Sequence, residues 1–228
     1  MRVEIVSDIS CPWCYVAKTR FRRALDAYAG AAGVVVELLP YQLNPAMSLE
    51  PQPLLDYYTE RYGPEFSDDH LRVEEIGAAE GIEFDMRRAL AVNTFDAHRL
   101  VWLAGRDGGP DLQWAVDDAL MRAYFRDGGN VADLDTLADI AGGAGMDRAR
   151  VRAALASPAG RAEVQAAIRR SADRKINAVP TFVFDTRLAL RGAQSVDAFA
   201  RVFEQLRAIE LLVPDDPTDN CKDGNCVF

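Results

Sequence analysis

Four cysteines stand in two close pairs, Cys11-Pro-Trp-Cys14 and Cys221-Lys-Asp-Gly-Asn-Cys226. A C-x-x-C pair can exchange electrons as a dithiol and disulfide, or it can supply half of a zinc site. The surroundings of the first pair decide between these chemistries. Val3 to Val6 is a β-branched run suited to a buried strand, Ser7 to Cys14 reads as a turn, and from Pro12 a helix-like stretch runs through Ala17, Phe21, Leu25 and Tyr28. Cys11 therefore falls at a helix N-terminus, where unpaired backbone N–H groups and the positive end of the helix dipole favour thiolate over thiol. Thiolate is the attacking species. Pro12 suits the first helical position, and the two-residue gap lets Cys14 resolve a mixed disulfide formed at Cys11. The redox reading is preferred. A zinc reading needs two further ligands, which Cys221 and Cys226 could supply.

The second pair has four intervening residues including Asp223-Gly224, so a tight turn could bring its sulfurs together. It can act as an auxiliary dithiol exchanging electrons with Cys11 and Cys14, as a clip on the tail, or as an exposed pair that oxidises incidentally. The two histidines carry less. His98 sits in a helical stretch beside Leu100 and Trp102 and reads as a packing or hydrogen-bonding residue. His70, flanked by acids, reads as solvated. Asp8 is the acid nearest the pair. Either it or water could carry the Cys14 proton, although an Asp in such a turn is more often a backbone cap. Trp13 and Tyr15 form either an apolar rim for substrate or packing under a cap.

These residues need elements to hold them. Val34 to Leu39 is a second strand, giving a right-handed strand–helix–strand unit with its strands parallel. From about Asn44 to Ala156 the segments read helical. They include Leu54–Tyr62, Ser67–Glu80, a helix capped by Asn93, one started by Pro110, and shorter ones at Leu134–Ile140 and Asp147–Leu155. A helix over about Ala159–Lys175 leads to the strand Val179–Phe184, a hairpin partner at Leu188–Leu190 and a last helix capped by Ser195. The expected architecture is α/β: one mixed sheet flanked by helices, with residues 1–45 and 157–212 as the two halves of one domain. Residues 46–156 are expected as a helical insertion, and 213–228 as a polar tail.

At 228 residues and a net charge of −9 the chain can bury a core without staples, and its charge argues against nucleic-acid or anionic-membrane partners. No apolar run approaches the roughly 20 residues that span a bilayer. No secretory signal is visible, so a cytoplasmic location is expected. There paired cysteines are more often reactive than structural.

The stretch Ser7-Asp-Ile-Ser-Cys-Pro-Trp-Cys-Tyr15, with Val179-Pro-Thr-Phe182 downstream, resembles the DsbA-like branch of the thioredoxin superfamily, and more narrowly the FrnE-type proteins. Asn93–Leu100 and Gly192-Ala-Gln194 match the same group. The resemblance implies a thioredoxin fold with a helical insertion, thiol–disulfide oxidoreductase or isomerase activity at Cys11 and Cys14, and a cis-Pro180 beside them. It also implies that the Val179 backbone, with Pro12 and Trp13, receives an extended substrate segment. No cofactor beyond the redox-active cysteines is implied. The expected partners are a disulfide- or thiol-containing protein or small molecule, and a reducing partner such as glutathione or the thioredoxin system. Two departures bear on mechanism. Trp13 stands where DsbA has a basic His, which predicts a less oxidising site. Ile5 stands where thioredoxin and DsbA carry a buried acid. Relatives of this fold also include glutathione-dependent isomerases and transferases, typically with Ser at the first cysteine. The intact pair argues against that chemistry here.

Overall fold

The computed structural model describes residues 1–212, apart from the side chains of residues 67–70 and 210–212. The tail expected at 213–228, with Cys221 and Cys226, lies outside the described residues, as does the side chain of His70.

Strand β1 (Arg2–Ser7) leads through the turn that carries Cys11 into helix α1 (Pro12–Asp26), and β2 (Val35–Pro40) returns parallel to β1. Far along the chain, β5 (Thr181–Phe184) pairs antiparallel with β1, and β6 (Leu188–Arg191) pairs antiparallel with β5. The sheet order is β2-β1-β5-β6. This is the mixed sheet expected from the two flanking halves of the sequence.

Period-two alternation assigns the faces. Val3 and Ile5 of β1 and Phe182 and Phe184 of β5 point into one core, while Val6 and Val183 point the other way, against Ile176 and Leu39. On the first face lie α1 and α8 (Val196–Leu212). Phe21 of α1 is the centre of that layer, with ring centroids 5.3 Å from Phe182, 5.5 Å from Phe199 and 5.7 Å from Phe203. Its position follows from the apolar 3.6-residue stripe of α1, which runs Cys14, Ala17, Phe21, Leu25.

Between β2 and β5 the regular structure is mainly helical: α2 (Leu54–Tyr62), α3 (Pro64–Ala79), α4 (Phe95–Arg122), α5 (Leu134–Gly143), α6 (Arg148–Ala156) and α7 (Arg161–Asp173). The exception among the described residues is a two-residue ladder of β3 (Gln52–Pro53) with β4 (Leu90–Ala91), too short to show any alternation in sequence. The strand expected from Val179 begins at Thr181, and three helix starts shift. Helix α3 begins at Pro64, a residue suited to the first turn, rather than at Ser67. Helix α7 begins at Arg161, because Gly160 before it takes a positive φ of 76°. Helix α4 begins with Thr94 in the cap position. Asn93, the expected cap, instead accepts the Phe95 N–H at 2.9 Å while its amide donates to the carbonyls of Pro45 and Met47. Asp96 does not close a capping box but pairs with Arg99 at 2.7 Å. The start expected at Pro110 is visible as a kink, since Gly109 before it has φ 76° and breaks α4 into two straight halves. A π-turn over Ala123–Asp127 ends α4.

Candidate active site

The turn that carries the cysteines is fixed by backbone and side chain together. The Cys11 N–H donates to the Asp8 carbonyl at 3.2 Å, and the Cys14 N–H donates to the Cys11 carbonyl at 3.0 Å. Cys11 occupies the N-cap position of α1 with extended backbone (φ −98°, ψ 107°) and Pro12 follows it. Both sulfurs are unbonded thiols that share a hydrogen bond. They differ in access: Cys11 keeps 5% of its surface exposed and Cys14 none. Burial, and then the hydrogen bond and charge of Cys11, push the Cys14 thiol well above its ordinary range, while the Lys18 ammonium and the Asp8 backbone pull it back. The arrangement suits an attacking sulfur at the helix N-terminus and a more deeply sheltered resolving one.

Pro180 reaches the same place from the other half of the chain. Thr181 pairs with Val6, so the register sets Pro180 opposite Ser7, where the cysteine-bearing turn begins. The Val179–Pro180 bond is cis, as the resemblance implies. Trp13 is 40% exposed, which makes it part of a rim rather than packing under the helices. Tyr15 takes the opposite role and meets Phe84 edge-on at 5.8 Å.

Asp8 is both a local cap and a long-range hub. Its buried carboxylate accepts from the Leu43 N–H at 2.7 Å, from the Ser10 hydroxyl at 3.0 Å, and lies 3.2 Å from His98 Nε2. Burial alone would raise its pKa. Hydrogen bonding and charge from His98, the Leu43 N–H and the Thr94 hydroxyl outweigh that and hold it below the ordinary value. His98 is thereby the hydrogen-bonding residue expected of it, with Nε2 as donor to an ionised Asp8.

Three residues near the cysteines were not picked out by the sequence. Lys18 follows Cys14 by one helical turn, is 3% exposed and forms an ion pair with the equally buried Asp117 of α4. Tyr58 of α2 is buried close enough to the pair that, after burial itself, the charge of Cys11 is the main influence raising its phenol. The signal for Lys18 was present: it interrupts an apolar stripe directly below Cys14.

A central strand pair feeding a cysteine-bearing helix N-terminus, with a cis-proline beside it, defines a thioredoxin-like fold with a dithiol site. Residues 2–204 match the DSBA-like thioredoxin domain family, and the chain belongs to that family. It is similar to SCO1869 of Streptomyces coelicolor, a probable DsbA oxidoreductase, with a TM-score of 0.85 and 38% identity over 95% of this chain and 93% of that one. It shares its fold with the cytosolic disulfide reductase DsbM of Pseudomonas aeruginosa, whose structure was determined with GSH. The TM-score is 0.65 and the identity 21%, over 91% of this chain and 100% of that one. The uncharacterized protein YwbO of Bacillus subtilis (strain 168) is 23% identical over 202 residues, 88% of this chain and 94% of its own length.

Proposed function

We propose that the protein is a cytoplasmic thiol–disulfide oxidoreductase of FrnE type, acting as a reductase or isomerase through Cys11 and Cys14. The observation that carries this reading is the unequal pair at the start of α1, with Cys11 in the N-cap position and 5% exposed and Cys14 fully buried. The Cys11 thiolate attacks one sulfur of a substrate disulfide. A Cys11–substrate bond forms, the substrate bond breaks, and one substrate sulfur leaves as thiolate. Cys14 then loses its proton and attacks Cys11, which releases the second substrate sulfur and leaves the protein oxidised. Two molecules of a thiol such as glutathione, or a thioredoxin-type dithiol, restore the reduced pair. Isomerisation uses the first step and its reversal. No cofactor besides the cysteines takes part.

Trp13 and the half-buried Val179 form the accessible part of the substrate-binding surface, with the buried Pro12 and Pro180 beneath it. The exposed Leu43, whose N–H is tied to Asp8, extends it with apolar surface. An extended, partly apolar segment laid along Val179 fits this surface. The reducing direction is favoured because Trp13 gives the Cys11 thiolate no positive charge, and because DsbM, of the same fold, is a cytosolic reductase determined with GSH. Cys221 and Cys226 serve as an auxiliary dithiol that exchanges with the main pair.

The test is glutathione-driven reduction of a protein disulfide such as insulin. Cys11→Ser is expected to abolish turnover, and Cys14→Ser is expected to accumulate a covalent mixed disulfide with substrate. Full activity in Cys11→Ser would overturn the reading.

A further inference from the structure

Between β2, α4 and α7 lies a cavity of about 440 Å³, a size that suits a small molecule. Ser7, His98, Gln113 and Asp117 line it, and none of the four is more than 9% exposed. Buried polar groups need partners, so a space walled by four of them calls for an occupant where the protein leaves their atoms unspent. Gln113 is spent. Its amide accepts the Leu38 N–H at 3.1 Å and donates to the Leu38 carbonyl at 3.4 Å. The other three are not. His98 uses Nε2 on Asp8 and leaves Nδ1, Asp117 uses Oδ2 on Lys18 and leaves Oδ1, and Ser7 Oγ has no hydrogen-bond partner among the described residues. The one side-chain polar atom that is both sealed and unpartnered among the described residues is Ser171 Oγ, which does not line this cavity. Ser7 Oγ, His98 Nδ1 and Asp117 Oδ1 therefore reach open space.

Their chemistry selects the occupant. With Nε2 donating to Asp8, Nδ1 of the neutral ring is an acceptor. Asp117 Oδ1 is an acceptor too, and Ser7 Oγ accepts as readily as it donates. An ammonium group, with three N–H donors and no acceptor, complements all three. Leu39, Val101 and Val164 add apolar wall. On the α7 side stands Arg170, exposed and without an ion pair among the described residues. The remaining charged groups of the cavity are Glu163 and Glu37, and Glu37 is engaged by Arg2. Glu163 and Arg170 lie seven positions apart on α7, about 10 Å along the helix, so the cavity is long enough for a ligand with two separated ends.

We propose that this cavity is a binding site for a small zwitterion of amino-acid size, with its ammonium group at Ser7, His98 and Asp117, its carboxylate at Arg170, and a short aliphatic chain between them. No step of thiol exchange passes through the site. It is nonetheless joined to the cysteines by one side chain. His98 meets the ligand with Nδ1 and Asp8 with Nε2, and the Asp8 carbonyl accepts the Cys11 N–H at 3.2 Å.

The probe is 5-aminopentanoate, compared with pentylamine and pentanoate, which carry the same chain with one charged end each. The readout is heteronuclear NMR of the full-length reduced protein labelled in its histidine ring nitrogens. The chain has two histidines, and His70→Gln identifies the signals of His98. 5-Aminopentanoate is expected to shift the His98 Nδ1 resonance saturably, with a Kd of about 1 mM or tighter. Pentylamine is expected to do so about tenfold more weakly, and pentanoate not at all. Arg170→Gln, a change at an exposed side chain, is expected to weaken 5-aminopentanoate about tenfold and to leave pentylamine as it was. The absence of any saturable shift at Nδ1 would overturn the site and leave a cavity that holds water alone. Equal binding of pentylamine and 5-aminopentanoate, or an unchanged affinity in Arg170→Gln, would overturn the zwitterion. The readout involves neither Cys11 nor Cys14, so failure here and failure of the dithiol reading are separate results.

Discussion

His98 Nε2 lies 3.2 Å from Asp8 Oδ1, joining residues 90 positions apart in a site with almost no access to solvent. Through this contact the N-terminal half of α4 is tied to the turn that presents Cys11. The same carboxylate holds the chain after β2 by the Leu43 N–H, so one side chain fixes three segments around the dithiol. Asp8→Ala leaves His98, Ser10 and the Leu43 N–H without their acceptor. A loss of about 3 kcal/mol is expected, at about 1–3 kcal/mol for each buried group left unsatisfied, read from the urea midpoint.

The acid limb of stability follows from the same residue. Burial works to raise the Asp8 pKa, but His98, the Leu43 N–H and Thr94 bring it down on balance. A carboxyl with a lower pKa folded than unfolded contributes stability above its unfolded value, about 3.9, and loses it as pH falls through the folded value. The unaltered chain should therefore lose stability below about pH 4 more steeply than Asp8→Asn. Urea denaturation curves collected between about pH 2 and 6 compare the two.

The two cysteines should differ sharply toward alkylating agents. Burial and Cys11 keep the Cys14 thiol protonated and out of reach, while Cys11 stands at the helix N-terminus and keeps 5% of its surface exposed. Brief treatment of the reduced protein with iodoacetamide at neutral pH is expected to modify Cys11 and spare Cys14, with both modified after unfolding. Peptide mass spectrometry gives the answer, and equal labelling in the folded state would contradict the geometry.

Phe21 closes the layer between the sheet, α1 and α8. Phe21→Ala should cost about 3–5 kcal/mol by denaturant titration, because the surrounding rings can collapse into the cavity only in part.

Arg99 is the corresponding fixture among the helices. Fully buried, its guanidinium donates to the carbonyls of Leu155, Ser157 and Ala159 and pairs with Asp96, which pins α4 to the connection between α6 and α7. Arg99→Met is expected to lower stability by about 3 kcal/mol or more in the same titration, since several buried carbonyls lose their donor at once.

Much of this was legible in advance because it is local. The turn at Cys11, the β-branched strands, the apolar stripe of α1 and the break before Pro110 all depend on residues close in sequence. The order of strands and helices already pointed to one mixed sheet built from both halves, and the resemblance then supplied the cis-Pro180. What escaped was set by distance. Lys18 shows its oddity in α1, but its partner Asp117 lies 99 residues away. Asp8 looked like a turn cap and is one, yet nothing near it in sequence points to His98. The β3–β4 ladder pairs two residues on each side, below the length at which alternation carries information.

The account turns on Cys11 and Cys14 forming a reversible disulfide. The most direct test is an equilibrium redox titration of the purified full-length chain, with mass spectrometry following each cysteine. A single reversible two-electron transition at Cys11 and Cys14, with a potential between about −120 mV, the value of DsbA, and about −220 mV, is the expected result, because a cytosolic glutathione pool poised at about −220 to −260 mV then keeps the pair reduced. No reversible transition between these two residues would contradict the account at its centre.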